Sequence, residues 1–224
     1  MAPAEPPVIA IDGPSASGKG TVAQGVAAAL GFHYLNSGSL YRTVALAALE
    51  AGANLDDELT LVEITLNLRA EFDGDRVTLG GRNVSEVIVA EAVSVAASRI
   101  AAIPGVRNAL LTRQRDFRQP PGLVADGRDM GSVVFPDAVL KIFLTASLEA
   151  RAQRRYKQLM DKGMDATMAA LLQDIRERDQ RDTMRATAPL QKSANAVLID
   201  TTDISAADAI AQVLALYRQA PRAS

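Results

Sequence analysis

Val8 to Thr21 reads VIAIDGPSASGKGT, and the rest of the chain is interpretable from it. Val8 to Ile11 is a short, β-branched apolar run, the signature of a buried strand. It stops at Asp12 and gives way to Gly13, Gly18 and Gly20, interspersed with Ser15, Ser17 and Lys19. Lys19 to Leu30 is Ala-rich, with apolar residues three and four apart, and Gly31 follows; this predicts a helix with a C-terminal stop. Gly13, Gly18 and Lys19 match the spacing G-x-x-x-x-G-K between that strand and that helix. Glycines there let backbone N–H groups turn inward as an anion nest. The helix adds its free N–H groups and the positive end of its dipole, and Lys19 adds a full charge. A turn that merely joins strand to helix is the plain alternative, and the flanking elements speak against it. The loop is therefore expected to bind nucleoside triphosphate phosphates through Gly13, Pro14, Ser15, Ala16, Ser17, Gly18, Lys19, Gly20 and Thr21.

One detail departs from the usual motif. Ser or Thr normally follows the lysine; here Gly20 does, with Thr21 next. The expectation is that no side chain dedicates itself to the metal, and that Mg²⁺ is held mainly by phosphates and water, which its reluctance to dehydrate allows.

Working outward, Phe32–Leu35 reads as a second strand and Ser37–Gly52 as a serine-capped helix. Strand, glycine loop, helix, strand, helix is the opening of an α/β domain with a parallel sheet. Leu68–Glu86 shows two alternating runs joined by DGD and followed by GGRN, a small antiparallel hairpin too short to stand alone. Helical patterns follow at Val89–Ala102 and Pro104–Arg118. Further strands are expected at Gly122–Asp129, Val139–Ser147 and Ala196–Thr202, and further helices at Leu148–Met160, Thr167–Arg181 and Ala206–Arg218.

Composition removes whole classes of function. There is no Cys and only one His, His33, so thiolate catalysis, cysteine zinc sites and a Ser-His-Asp triad lack material. His33, beside Phe32 and Tyr34, reads as structural or exposed. A net charge of −2 and 4% aromatic content argue against a nucleic-acid partner. The opening MAPAEPP has neither a basic nor an apolar signal region and reads as a tail, and no apolar run is long enough to span a membrane. A cytoplasmic protein is expected.

The segments IDGPSASGKGT (11–21), LNSGSLYR (35–42), LVADGRDMGSVVFPDA (123–138) and RERDQRDTMRATAPL (176–190) occur in this order. Together they resemble the bacterial cytidylate kinases, nucleoside monophosphate kinases of the P-loop class. The resemblance runs from about Val8 to Thr202. Ala16 and Ser17 stand where members often have Gly then Ala, and Asn36 where many have Asp. It implies an α/β fold with a five-stranded parallel sheet flanked by helices, an inserted monophosphate-binding lobe with a small antiparallel sheet, and a short lid. Residues 1–36, 103–150 and 168–224 would form the core, 37–102 the lobe with its hairpin near 68–86, and 151–167 the lid.

The implied activity is transfer of the γ-phosphate of ATP to CMP and dCMP with Mg²⁺, by a monomer. Ser37, Arg42, Arg128 and Arg185 would hold the acceptor phosphate, with Tyr41 in the same set. Arg178 and Asp182 would meet the ribose, and Ser98, Arg107 and Asp129 the cytosine. Lys19, Arg128, Arg185 and Arg155 would act on the transferred group, and Arg154, with Arg155, would reach from a lid segment that also carries Arg151, Lys157 and Lys162. The chemistry agrees, because a phosphate dianion attacks without a general base. Catalysis is then positioning plus positive charge, for which arginine's planar fork is suited. Taken without the resemblance, the charges of RERDQRDTMR read as a solvated helix face, and Asp126 and Asp129 as caps of a following helix. The rivals are a UMP or shikimate kinase, a nucleotide-dependent switch (no N-K-x-D motif is present), and a nucleic-acid-stimulated ATPase.

Overall fold

β1 (Val8–Asp12) lies in the middle of a five-stranded sheet ordered β2-β6-β1-β7-β8. The others are β2 (His33–Asn36), β6 (Leu123–Gly127), β7 (Leu140–Thr145) and β8 (Val197–Asp200). Ala10 faces Ala125 of β6 and Lys141 of β7, and Phe143 faces Leu198 of β8, all in parallel register. Every residue of β1 and β6 is buried, and each strand opens as an apolar run, as strands covered on both faces do, before ending in the acidic residue Asp12 or the pair Asp126–Gly127. The computed structural model describes residues 5–220 apart from 75, 162, 164 and 186. Lys162 and the first residues of the expected N-terminal tail thus lie outside the described residues.

The chain divides into two compact units. The first takes in the described residues of Met1–Leu35 and Arg118–Ser224, and the second is Asn36–Phe117. In the first, α1 (Lys19–Leu30) and α8 (Ala206–Gln219) pack together beside the sheet. Ile9, Ile11, Val26, Val124, Ile142, Leu144 and Val213 form its core. A Cβ on Gly25 would sit 2.3 Å from Ile210 Cδ1, which is how closely the two helices approach. α6 (Leu148–Met160) and α7 (Met168–Met184) pack on one another. α6 is capped by Ser147, whose Oγ accepts from Ala150 N at 3.2 Å.

The second unit holds α2 (Ser37–Glu50), α3 (Glu58–Leu66), the antiparallel sheet β3 (Ala70–Asp73), β4 (Arg76–Leu79) and β5 (Arg82–Asn83), then α4 (Glu91–Ile100) and α5 (Pro104–Arg115). Leu40, Val44, Leu61, Ile100, Val106 and Leu110 are its buried residues of most weight. Two features differ from the sequence expectation. α3 was not anticipated. In ELTLVEITL only Leu61 and Thr65 are buried while Leu59 and Leu66 are exposed, so no apolar stripe marks it. Residues 103–117 were expected in the core, but α5 packs on α3 and groups with the second unit.

Candidate active site

The glycine loop leaves β1 at Gly13. A Cβ there would lie 2.0 Å from the Leu144 carbonyl oxygen, so the loop can pass over β7 only without a side chain. Gly18, at φ 88°, turns the chain into α1. Ala16 is also left-handed, at φ 57°. That explains why Gly suits this position, and holding Ala there costs about 1 kcal/mol. Ser17 is fully buried, and its Oγ has no hydrogen-bond partner among the described residues. An unpaired buried hydroxyl in an anion nest suits a phosphate oxygen. Lys19 folds back to donate to Pro14 O at 3.1 Å.

Burial, and then the Arg128 charge, hold the Lys19 ammonium well below its ordinary pKa, with Asp126 working the other way. Phosphates arriving beside it favour the charged form. Triphosphate binding is therefore expected to take up protons. At about pH 8.5, where ATP itself is fully ionised, calorimetry in buffers of different ionisation enthalpy should show net uptake. The uptake should vanish in Lys19→Ala, and wild-type affinity should fall as pH rises. Uptake that survives the substitution would remove Lys19 from the site.

Arg128, one residue beyond β6, donates from Nη2 to Ser15 Oγ at 2.8 Å and from Nε to Asp182 Oδ2 at 2.6 Å. A loop residue, a strand-end arginine and a helix carboxylate thus meet at one guanidinium. Burial works against the Arg128 charge, but the charge and hydrogen bond of Asp182, with the charges of Asp126 and Asp179, together outweigh it and raise its pKa. Burial would likewise raise Asp182; the Arg128 charge and hydrogen bond, with Arg178 and Arg185, lower it instead. Arg185 Nη2 lies 3.8 Å from Asp129 Oδ1, an ion pair too long for a hydrogen bond. The structure therefore brings together Ser15, Lys19, Arg128, Asp129, Arg178, Asp182 and Arg185 of the expected set. Asp182 spends its short ion pair on Arg128, not within its own helix as the solvated-face reading would have it.

The caps work differently from the sequence reading. Asp129 makes no side-chain cap. Asp12, two strands' ends away in sequence, does so with both oxygens: Met130 N donates to Oδ1 at 2.8 Å and Gly131 N to Oδ2 at 2.9 Å. This fixes the π-helical turn Met130–Val134 that follows Arg128 and Asp129. Burial raises the Asp12 pKa to about 6 even against those two hydrogen bonds. Asp126 Oδ1 accepts from Tyr34 Oη at 2.9 Å, and exposed His33 lies 2.9 Å from Pro120 O through Nε2.

In the second unit, Asn36 Oδ1 accepts from Ser39 N at 3.0 Å and caps α2, a task Asn performs as well as Asp. Arg42 Nη2 donates to Ser39 Oγ at 3.0 Å, one turn from buried Ser37. Arg107, 7% exposed, donates to Ala101 O at 3.3 Å and to Tyr41 Oη at 3.4 Å. Ser98 is buried on α4, and its Oγ has no partner among the described residues.

Arg154 grips backbone rather than pointing outward. Nη1 donates to Ser17 O at 3.2 Å and to Thr201 Oγ1 at 3.0 Å, and Nη2 donates to Thr201 O. Arg155, next on α6, is half-buried. Sequence reasoning gave no role to Thr201 or Asp179 and none beyond the lid to Arg151. Thr201 Oγ1 sits 3.0 Å from Ser17 O and from Thr145 O, tying the phosphate loop to the ends of β7 and β8. Nothing in a lone Thr after a strand marks it, because its partners are distant carbonyls.

Among the described residues, no group of three or more His, Cys, Asp or Glu side chains could hold a metal ion, and no helix is long and apolar enough to cross a membrane. Residues 9–219 match the cytidylate kinase family. The chain is 54% identical over 217 residues to the cytidylate kinase of Nitrosomonas europaea, covering 97% of each chain. It is 57% identical over 212 residues to that of Bordetella bronchiseptica, covering 95% of each. With that of Cupriavidus necator it shares 58% identity over 207 residues, covering 92% of this chain and 93% of the other. By the match along nearly its whole length, on a chain whose glycine loop and strand-end arginine meet as described, this protein belongs to the cytidylate kinase family.

Proposed function

We propose that this chain transfers the γ-phosphate of ATP to CMP and to dCMP, giving ADP and the cytidine diphosphates. The observation that carries the reading is Arg128, held between Ser15 of the phosphate loop and Asp182 of α7. One guanidinium there serves a donor loop and an acceptor-reading helix. An oxygen of the acceptor phosphate attacks the γ-phosphorus, and the bond from that phosphorus to the β,γ-bridging oxygen breaks. ADP leaves with the bond's electrons. Lys19 follows the charge that spreads over the phosphoryl and bridging oxygens, and Arg128 and Arg185 hold the attacking phosphate. No base is required.

Arg42 and Ser37, with Tyr41, would add to the hold on the acceptor phosphate, Arg178 and Asp182 would take the ribose, and Ser98, Arg107 and Asp129 the cytosine. The orphaned Ser98 hydroxyl supports the last assignment, since a buried hydroxyl is expected to find a partner. Arg155, together with Arg154 once it releases its carbonyls, would close on the donor phosphates and exclude water. Mg²⁺, when bound, supplies neutralisation of the phosphate charge. The described residues fit an ion that would be carried mainly by phosphate oxygens and water, since no group of three or more His, Cys, Asp or Glu side chains among them could hold it. The absence of cysteine supports work in the reducing cytoplasm, and the chain would act as a monomer.

The test is ADP release with CMP, dCMP, UMP, AMP and shikimate as acceptors. CMP and dCMP are expected to exceed the others at least about tenfold in kcat/KM, the discrimination that one or two buried hydrogen bonds supply. Equal rates for CMP and UMP would overturn the acceptor assignment. Slow hydrolysis indifferent to every acceptor would favour a nucleotide switch.

A further inference from the structure

α7 presents Asp179 and Asp182 three residues apart, on one face of the helix. Each takes an arginine from a different element. Asp182 takes Arg128, and Asp179 Oδ2 takes Arg151 Nη2 of α6 at 2.7 Å. Both arginines then meet the same loop residue. Arg128 Nη2 donates to Ser15 Oγ at 2.8 Å, and Arg151 Nη1 donates to Ser15 O at 3.2 Å. Arg151 also donates from Nε to Ala146 O at 3.1 Å, so every nitrogen of its fork is engaged. Its side chain is only 8% exposed. Ser15 is therefore clamped by side chain and by main chain, through two guanidiniums that both trace back to α7.

The two arms of the clamp differ. The Arg128 arm is the one proposed to meet the acceptor phosphate, so its contacts to Ser15 and Asp182 must change when the acceptor binds. The Arg151 arm is aimed at the Ser15 carbonyl, and each of its three guanidinium nitrogens already meets a protein oxygen. Arg151 is buried while the Asp179 side chain is 26% exposed, so the pair adds little net stability, but removing the carboxylate leaves the Arg151 charge buried without its acidic partner, which is costly. We propose that Asp179 and Arg151 are positioning residues that hold α7 to the phosphate loop at Ser15, so that occupancy of the donor loop and of the acceptor site are coupled through α7.

The inference rests on the cytidylate kinase reading for its ligand, and two readouts separate the failures. The first needs no acceptor. In the ligand-free protein, Asp179→Asn should speed amide exchange at least about fivefold in the segment 13–18, while the sheet strands exchange as in wild type. The second is titration of CMP with and without saturating magnesium AMP-PNP. The analogue should tighten CMP at least about threefold in wild type, and by less than about 1.5-fold in Asp179→Asn. Asp179→Glu should restore most of the coupling. Arg151→Lys retains the charge but cannot span Asp179 and Ser15 O together, so it should lose the coupling while still folding. Unchanged loop exchange in Asp179→Asn, or wild-type coupling in both Asp179→Asn and Arg151→Lys, overturns the clamp. Absence of CMP binding in wild type, with loop exchange still dependent on Asp179, overturns the acceptor reading and leaves the clamp standing.

Discussion

Lys19→Ala is expected to lower kcat by roughly 10³-fold, about 4 kcal/mol, the scale for removing one preorganised charge from a developing oxyanion. The fold should not suffer. The Lys19 ammonium is held below its ordinary pKa by burial and by Arg128, so the unfolded chain binds its proton more tightly than the folded one. A base with a depressed folded pKa opposes folding wherever the unfolded group is charged, and the opposition fades only as pH rises toward the unfolded value. Removing it at neutral pH thus relieves a strained cation, and only the 3.1 Å hydrogen bond to Pro14 O is lost. The melting temperature should stay level or rise. Single-turnover kinetics and thermal unfolding check the two halves separately. A kcat within tenfold of wild type would refute the charge's role in transfer. A fall in melting temperature alongside lost activity would make Lys19 a structural residue.

That separation of roles was visible in the sequence only in part. The glycine loop is local. Strand, nest and helix all lie within Val8–Leu30, and the conformations demanded at Gly13 and Gly18 belong to that stretch. The parallel sheet was legible for the same reason, since buried strands are continuous apolar runs and α1 and α8 carry clear helical spacing. The contacts that organise the site are not local. Asp12 meets Met130 and Gly131 across the sheet, Asp179 meets Arg151 between helices, and Thr201 meets Ser17 from the far end of the chain. Each is a common residue type in an ordinary place until the topology sets strand ends side by side. α3 was missed for a different reason: its exposed Leu59 and Leu66 erase the periodic stripe that marks a helix. The residues proposed for the acceptor came from motif order, because nothing in the local pattern around Ser98 or Asp182 distinguishes a reader of nucleotide from a buried or solvated polar residue.

Asp182→Ala should damage stability and acceptor binding together, and spare the donor. Asp182 and Arg128 are both buried, with side chains 9% and 15% exposed, and joined at 2.6 Å. Truncating Asp182 strands the Arg128 guanidinium, which costs about 3 kcal/mol, the lower end for breaking a buried pair. In a chain of this size that lowers the melting temperature by roughly 6–12 °C. The pH dependence has a definite sign. Net of burial, Arg128 holds the Asp182 pKa below its unfolded value, so its contribution is present above about pH 4 and is lost as pH falls through the folded pKa. The wild-type advantage over the variant should therefore shrink in acid. Activity is then measured well below the unfolding transition. The KM for CMP should rise at least about thirtyfold, because both the carboxylate and the arginine it aims are lost to the acceptor. The KM for ATP should stay within about threefold, since the loop keeps its main-chain N–H groups, Lys19 and the Arg151 hold on Ser15 O when the Arg128 contact is disturbed. Asp182→Asn retains an acceptor oxygen for Arg128 Nε without the charge, and should fall between wild type and Ala on both measures. Equal losses of CMP and ATP affinity would show that Asp182 serves only to hold Arg128 against the loop. Wild-type stability in the Ala variant would show that the guanidinium finds another partner when its own is removed.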